Sequence, residues 1–176
     1  MNSKKLIKLF VVLLFISCGK DNKENEKKNV ENNGVELIIE FKTAYNDKFE
    51  VYYTIDQESL LTADYVLEKY IYGSDEMQKV VFNIPKGEFP YKIRIDFGEN
   101  QIANNITIKN VSVKYKNNVI NGDNNAFINY FNLFETLKYN KDTFMFDFIP
   151  LDGKKDPFMF SNELLESKLI ELKNKK

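Results

Sequence analysis

From residue 35 onward, apolar and polar positions alternate. Val35, Leu37, Ile39 and Phe41 alternate with Glu36, Ile38, Glu40 and Lys42; Phe49, Val51, Tyr53 and Ile55 alternate with Glu50, Tyr52 and Thr54. Period two sends one set of side chains to a core and the other toward water, so both stretches predict half-buried strands. Residues 44–48, Ala-Tyr-Asn-Asp-Lys, read as the turn between them. Further strands are predicted at 66–72, 79–84 and 91–97, the last with Tyr91, Ile93, Ile95 and Phe97 inward and Lys92, Arg94 and Asp96 outward. Pro85 and Pro90 bracket the loop before it, and Gly98 ends it.

In residues 105–115 the parity breaks. Ile106 and Ile108 share one phase; Val111, Val113 and Tyr115 share the other. A regular strand would throw one set into solvent, so an extra residue near Lys109-Asn110, a β-bulge, is predicted. Asn117-Asn118 and residues 121–125 are turns. Phe127, Phe131 and Phe134 have helical spacing, whereas Leu133, Glu135, Leu137 and Tyr139 alternate; a short helical turn near 127–132 followed by a strand is the reading. Phe144, Phe146 and Phe148 mark another strand, closed into a hairpin by Asn140-Lys141-Asp142. A loop at 152–157 leads to a short strand at 158–160. Ser161 or Asn162 then caps a helix over 163–173, with Leu164, Leu165, Leu169 and Leu172 on one side. Some nine short strands with few helices define an all-β class: an antiparallel β-sandwich with one or two short helices.

The first 33 residues follow different rules. Met-Asn-Ser-Lys-Lys-Leu-Ile-Lys precedes the apolar run 9–16, and Ser17-Cys18-Gly19 follows. A basic start, a short apolar stretch and a small residue before a cleavage point mark a secretory signal, too short to span a bilayer, which takes roughly 20 apolar residues. Residues 19–33, almost all Lys, Glu, Asp and Asn, cannot bury enough apolar surface to order themselves and read as a tether. The expected organisation is a signal at 1–17, Cys18 with a charged tether at 18–33, and one domain at 34–176.

Composition narrows the chemistry. The 176 residues contain no His and no Trp, and Cys18 is the single cysteine, so no disulfide forms within the chain. Without His, the commonest general base and metal ligand is missing, and Ser-His-Asp and Cys-His triads are excluded. A zinc site would rest on carboxylates alone. The net charge is −1, and loss of Lys4, Lys5 and Lys8 with the signal takes it to −4. With Arg94 the lone arginine, nothing resembles the concentrated basic face that nucleic acid requires.

Two resemblances add to this reading. Phe15-Ile16-Ser17-Cys18 resembles the lipobox of bacterial lipoproteins, which implies cleavage before Cys18, acylation of that residue and an exported chain held at the cell envelope, the outer membrane being expected. Lys20-Asp21 and Lys23-Glu24 resemble the surface-export signal of Bacteroidota lipoproteins. Val80-Val81-Phe82-Asn83-Ile84-Pro85, then Tyr91-Lys92-Ile93-Arg94-Ile95-Asp96-Phe97, then residues 105–113 are similar in order to the jelly-roll, galactose-binding-like domains related to carbohydrate-binding modules of bacterial polysaccharide enzymes. Asp156-Pro157-Phe158 resembles their last strand entry. Phe97 stands where those domains carry Pro. The resemblance, over about residues 35–160, implies a β-sandwich and glycan contact, and fold alone does not establish function.

Glycan binding calls for exposed rings that meet a sugar's C–H face and planar polar groups that meet its hydroxyls. Tyr45, Tyr52 and Tyr65 are the aromatic candidates, against core packing for each. Arg94 and Asp96 leave one strand on the same face, which reads first as a structural ion pair and second as a polar floor for a hydroxyl network. No cofactor is expected. Calcium candidates are Asp96 with Glu99, Asp123, and Asp152 with Asp156, and solvated loop charge is the favoured reading. Glu36, Glu40 and Glu50 are the carboxylates a glycosidase would need, without a surrounding signature. The expected role is a non-catalytic, membrane-anchored ligand-binding module. Its partners would be a lipid bilayer through Cys18, and glycans or envelope proteins but no nucleic acid; the alternatives are a structural interaction subunit and a carboxylate-dependent hydrolase.

Overall fold

The computed structural model describes residues 34–175; the signal at 1–17, Cys18 and the tether to residue 33 lie outside the described residues. Among the described residues there are eleven strands and one α-helix: β1 (Val35–Thr43), β2 (Asp47–Tyr53), β3 (Val66–Ile71), β4 (Ser74–Asn83), β5 (Ile93–Asp96), β6 (Asn105–Tyr115), β7 (Asn118–Ile120), β8 (Phe131–Leu133), β9 (Leu137–Asn140), β10 (Met145–Phe148), β11 (Phe158–Ser161) and α1 (Glu163–Asn174). They form a sandwich of two antiparallel sheets, which fits a jelly-roll-like fold. One sheet has the order β4-β1-β6-β10-β9, with β7 also paired to β6; the other has the order β3-β2-β5-β11-β8.

The alternation read from the sequence decides which side chains meet between the sheets. Val35, Leu37, Ile39 and Phe41 of β1 face Phe49, Val51 and Tyr53 of β2, and Ile93 and Ile95 of β5 complete the second layer; all are buried. Phe49 is wedged between Phe41, at a ring separation of 4.9 Å, and Phe97, edge-on at 5.5 Å. Truncating a ring so enclosed to Ala costs about 3–5 kcal/mol.

The parity break in β6 is a bulge at Lys109. Glu40 pairs with Asn110 and Phe41 with Ile108, so Lys109 has no opposite residue. Ile106 and Ile108 on one side of it and Val111 and Val113 on the other are all buried, while Lys109 is exposed. A single inserted residue thus serves two hydrophobic sets with one core.

Helix α1 closes one open side of the sandwich by packing on β7 of one sheet and β11 of the other. Asn162 is its cap: the side chain accepts from the backbone N–H groups of Leu164 and Leu165, both at 3.1 Å. Leu165, Leu169 and Leu172 are buried, with the i, i+4, i+7 spacing of one helix face.

Several local expectations are corrected. Leu164 is 47% exposed because it points off that helix face. Ile55 lies beyond the end of β2 and Tyr72 beyond the end of β3, so neither inherits its strand's alternation, and both are exposed. Phe144 ends the β9–β10 turn in the left-handed region, φ 56°, which sends its ring outward instead of into the core beside Phe146. Asn118 starts the short strand β7 instead of ending a turn. The segment around Phe127 is a 3-10 turn, Ala126–Asn129, followed by two strands in different sheets, β8 and β9, because the chain crosses the sandwich at residues 134–136. Among the described residues, no helix is long and apolar enough to cross a membrane.

Candidate functional site

The outer face of the five-stranded sheet carries the side chains that β2, β5 and β11 turn away from the core. Strand pairing sets Tyr52 beside Arg94 and Glu50 beside Asp96; on the other flank of β5, Phe158 lies beside Asp96. Above this row lies an open-sided hollow of about 570 Å³, lined by Glu50, Tyr52, Arg94, Asp96, Glu99, Gln101, Lys154, Lys155 and Asp156.

Arg94 is the centre of it. Its Nε donates to Asp96 Oδ1 and its Nη2 to Asp96 Oδ2, both at 2.7 Å, a bidentate pair. The guanidinium lies over the Phe158 ring at 3.7 Å, with the Tyr52 ring at 5.4 Å. Phe158 is itself stacked on Phe134, at 4.2 Å and 15°. A planar cation held along one edge by a carboxylate and backed by a ring has little freedom left to lose on binding. Asp96 is nearly buried, and that burial raises its carboxyl to about 6; the Arg94 hydrogen bonds pull the other way, and the charges of Asp156 and Glu50 reinforce the rise.

Tyr52 adds a ring and a phenol. Its hydroxyl donates to Glu50 Oε2 at 3.2 Å, and burial, followed by the Glu50 charge, lifts its ionisation above the usual tyrosine value. Glu50 also meets Lys48 at 2.7 Å, and Lys48 reaches Glu68 at 2.8 Å; hydrogen bonding to those two carboxylates holds the ammonium above the ordinary lysine range.

The far wall consists of two loops clasped together. Lys155 N donates to Gln101 Oε1 at 2.9 Å, Gln101 Nε2 donates back to the Lys155 carbonyl at 3.1 Å, and Lys155 Nζ donates to Gln101 O, Ala103 O and Asn104 Oδ1 at 2.7–2.8 Å. The first loop leaves β5 through Gly98, whose φ of +97° suits glycine, and wraps the Asp47 carboxylate: the Glu99 and Asn100 N–H groups each donate to it at 3.1 Å. A Cβ at Gly98 would fall 2.0 Å from Asp47 Cγ, so the turn needs glycine both for conformation and for space. On the second loop, the carbonyl of Asp156 accepts from Thr136 Oγ1 at 2.5 Å.

Of the residues singled out in the sequence, the fold brings Tyr52, Arg94 and Asp96 together. Tyr45 and Tyr65 stand apart from the hollow. Both are partly buried and packed against the core, Tyr65 with its ring 5.5 Å from that of Tyr53. Glu36 and Glu40 belong to β1, on the outer face of the other sheet, where they meet Lys114 and Lys109. They therefore lie across the sandwich from Glu50, and these three carboxylates do not flank a common substrate. Among the described residues no group of three or more carboxylates or other metal-binding side chains is placed to hold a metal ion. The sequence reading missed Gln101, Lys154 and Lys155 as parts of one surface, and it took Glu50, Glu99 and Asp156 for other roles. One signal was present: a single arginine among 25 basic residues sits at the centre of the hollow.

Comparison with protein-family models, with characterised proteins and with solved structures found no match to this chain.

Proposed function

We propose that the domain is a non-catalytic ligand-binding module whose ligand is a carbohydrate. The chain would be an exported lipoprotein held at the cell envelope, in the outer membrane, by acylated Cys18. The observation that carries the ligand reading is the hollow over Tyr52, Arg94 and Asp96. Its volume suits one or two sugar rings, its aromatic side offers a surface for C–H faces, and its carboxylates, guanidinium and amide offer partners of both kinds to hydroxyls. The position of Cys18 after Ser17 supports the anchor. A similarity in residue order to carbohydrate-binding jelly rolls supports the ligand class.

The test is a glycan array probed with the acylated full-length protein in detergent micelles, with the producer's own surface polysaccharides included. Selective binding is expected, weakened about tenfold or more by Tyr52→Ala and untouched by a change at exposed Tyr70, which lies outside the hollow. A folded protein that binds no glycan sinks the ligand reading. Labelling with radioactive palmitate tests the anchor separately: incorporation is expected in the native chain and absent in Cys18→Ala.

One observation favours a second reading, an interaction subunit of an envelope complex. Strands β3 and β4 are edge strands of the two sheets and are joined by a short turn, and Tyr70, Tyr72 and Met77 are 78%, 73% and 45% exposed there. Open edges with apolar side chains are suited to pairing with another chain. Cross-linking in intact membranes that maps to this hairpin, together with an array that stays blank, would favour it.

A further inference from the structure

We propose that Arg94 and Asp156 together read one sugar hydroxyl, and that this pairing restricts the hollow to neutral glycans over those bearing uronate or sulfate. The inference rests on the carbohydrate reading above and specifies the class of sugar.

The argument starts from a gap. Asp156 Oδ2 stands 4.0 Å from Arg94 Nη2. That is too long for a hydrogen bond, which needs about 2.7–3.2 Å. It is the right span for one oxygen in between, about 2.8 Å from each. The oxygen must accept from Nη2–H and donate to the Asp156 carboxylate. A hydroxyl does both. A carboxylate or sulfate oxygen only accepts, so it leaves Asp156 without a donor and adds a second negative charge beside it.

Arg94 has the donors to spare. Its bonds to Asp96 use one N–H of Nε and one of Nη2. The second hydrogen of Nη2 and both of Nη1 remain on the free edge of the planar group. The charge on Arg94 does not turn the hollow into an anion site, because Asp96 faces it at 2.7 Å. Lys155 is also committed, its ammonium being surrounded by three acceptors. The lining carboxylates, Glu50, Asp96, Glu99 and Asp156, outnumber the cations Arg94, Lys154 and Lys155. Local charge therefore opposes an acidic sugar even before the contact at Asp156 is made.

The Arg94 side chain and the backbone that carries Asp156 are also held in place. The ring of Phe158 backs Arg94 at 3.7 Å, and the Thr136 hydroxyl fixes the Asp156 carbonyl while the Lys155–Gln101 clasp fixes the residue before it. Preorganised donor and acceptor groups reject a mis-matched ligand more strongly than flexible ones, because a poor fit leaves them unpaired.

The experiment uses the full-length protein on an array that places neutral oligosaccharides beside their uronate counterparts, β-1,4-mannotetraose beside β-1,4-mannuronate tetramer and cellotetraose beside its glucuronate analogue among them. Calorimetry follows on the pairs that bind. The neutral member of each bound pair is expected to bind at least about tenfold tighter than the acidic one. Asp156→Ala should weaken the neutral sugar by about tenfold, and Asp156→Asn, whose amide can donate, should narrow the gap to the uronate. The side chain is 58% exposed, so thermal midpoints of both variants serve as the check that binding and not folding has changed. Uronates that bind as tightly as their neutral counterparts overturn the inference. So does an Asp156→Ala protein that keeps full affinity for a neutral sugar while Tyr52→Ala loses it, which leaves the carbohydrate reading standing. A blank array overturns both.

Discussion

On the outer face of the six-stranded sheet, Lys114 and Lys109 approach Glu36 and Glu40 at 3.6 Å, and the lysine side chains are 46% and 65% exposed. On the outer face of the five-stranded sheet, Arg94 meets Asp96 through two bonds of 2.7 Å, and the Asp96 side chain is only 9% exposed. Both faces follow the same alternation, and both carry opposite charges on residues that point away from the core. The difference lies in geometry and in how far the acid is covered. The first pairs are loose, their glutamates 20% and 29% exposed and their lysines more open still, the kind worth about 0–1 kcal/mol each. The second is bidentate, its carboxylate is nearly buried, and the Phe158 ring backs its guanidinium. The two outer faces thus differ in how tightly they hold their charges, the five-stranded one keeping the single arginine in a fixed pair beside the hollow.

This contrast is open to direct attack. The largest effect is expected from Asp96→Ala, which leaves the Arg94 charge unpaired in a partly dry place. Urea denaturation should show a loss of about 2 kcal/mol, below the value for fully buried pairs because Arg94 keeps some solvent. Glu40→Ala, the matched change on the other face, should stay within about 0.5 kcal/mol of the parent. Equal losses from the two would erase the distinction between the faces.

A second effect is on pH. The Asp96 carboxyl is raised to about 6 in the folded protein, first by burial, from the ordinary value of about 3.9 in the unfolded chain. The native state then binds the proton more tightly, so this group stabilises the fold fully below about pH 4 and the contribution is lost as pH rises through about 6. The thermal midpoint should therefore gain from Asp96 between pH 7 and pH 5, and Asp96→Asn should remove that part of the profile. An identical profile in the variant would show that Asp96 titrates as an ordinary surface acid.

The smallest effect concerns the ring beneath Arg94. Phe158→Leu keeps apolar bulk and removes the aromatic face, which should cost about 1 kcal/mol in stability and a few-fold in affinity for any bound glycan. Unchanged affinity would show that the stack is scaffolding without influence on the site.

How much of this could be read in the sequence depended on how local its cause was. The inward residues of β1, β2 and β5, the bulge near Lys109 and the Asn162 cap each follow from neighbours within a few positions, and the structure has all three. Phe144 and Ile55 were misplaced because alternation on paper continues past the point where the backbone leaves the strand. Leu164 was misplaced because apolar identity was given more weight than helical phase. The pairing of Arg94 with Asp96 was visible, two residues apart on one strand. The wall facing them was not: Gln101 and Lys155 are 54 positions apart, and nothing in either segment announces the other. Similarly, Tyr45, Tyr52 and Tyr65 look alike in sequence, and only the packing against Tyr53 and the rest of the core separates Tyr65 and Tyr45 from Tyr52.

The unpaired Lys109 in β6 has a consequence for how this chain tolerates change in length. The strand behaves like two messages in different reading frames joined at one letter. Removal of Lys109 would bring Ile106, Ile108, Val111 and Val113 into a single phase and leave every apolar side chain facing the interior. Removal of any residue between Val111 and Val113 would shift the remainder of the strand out of frame and turn its apolar residues to solvent. Of the two positions at the junction, Asn110 is buried and Lys109 is turned to water, so Lys109 is the one whose deletion is expected to disturb the core least.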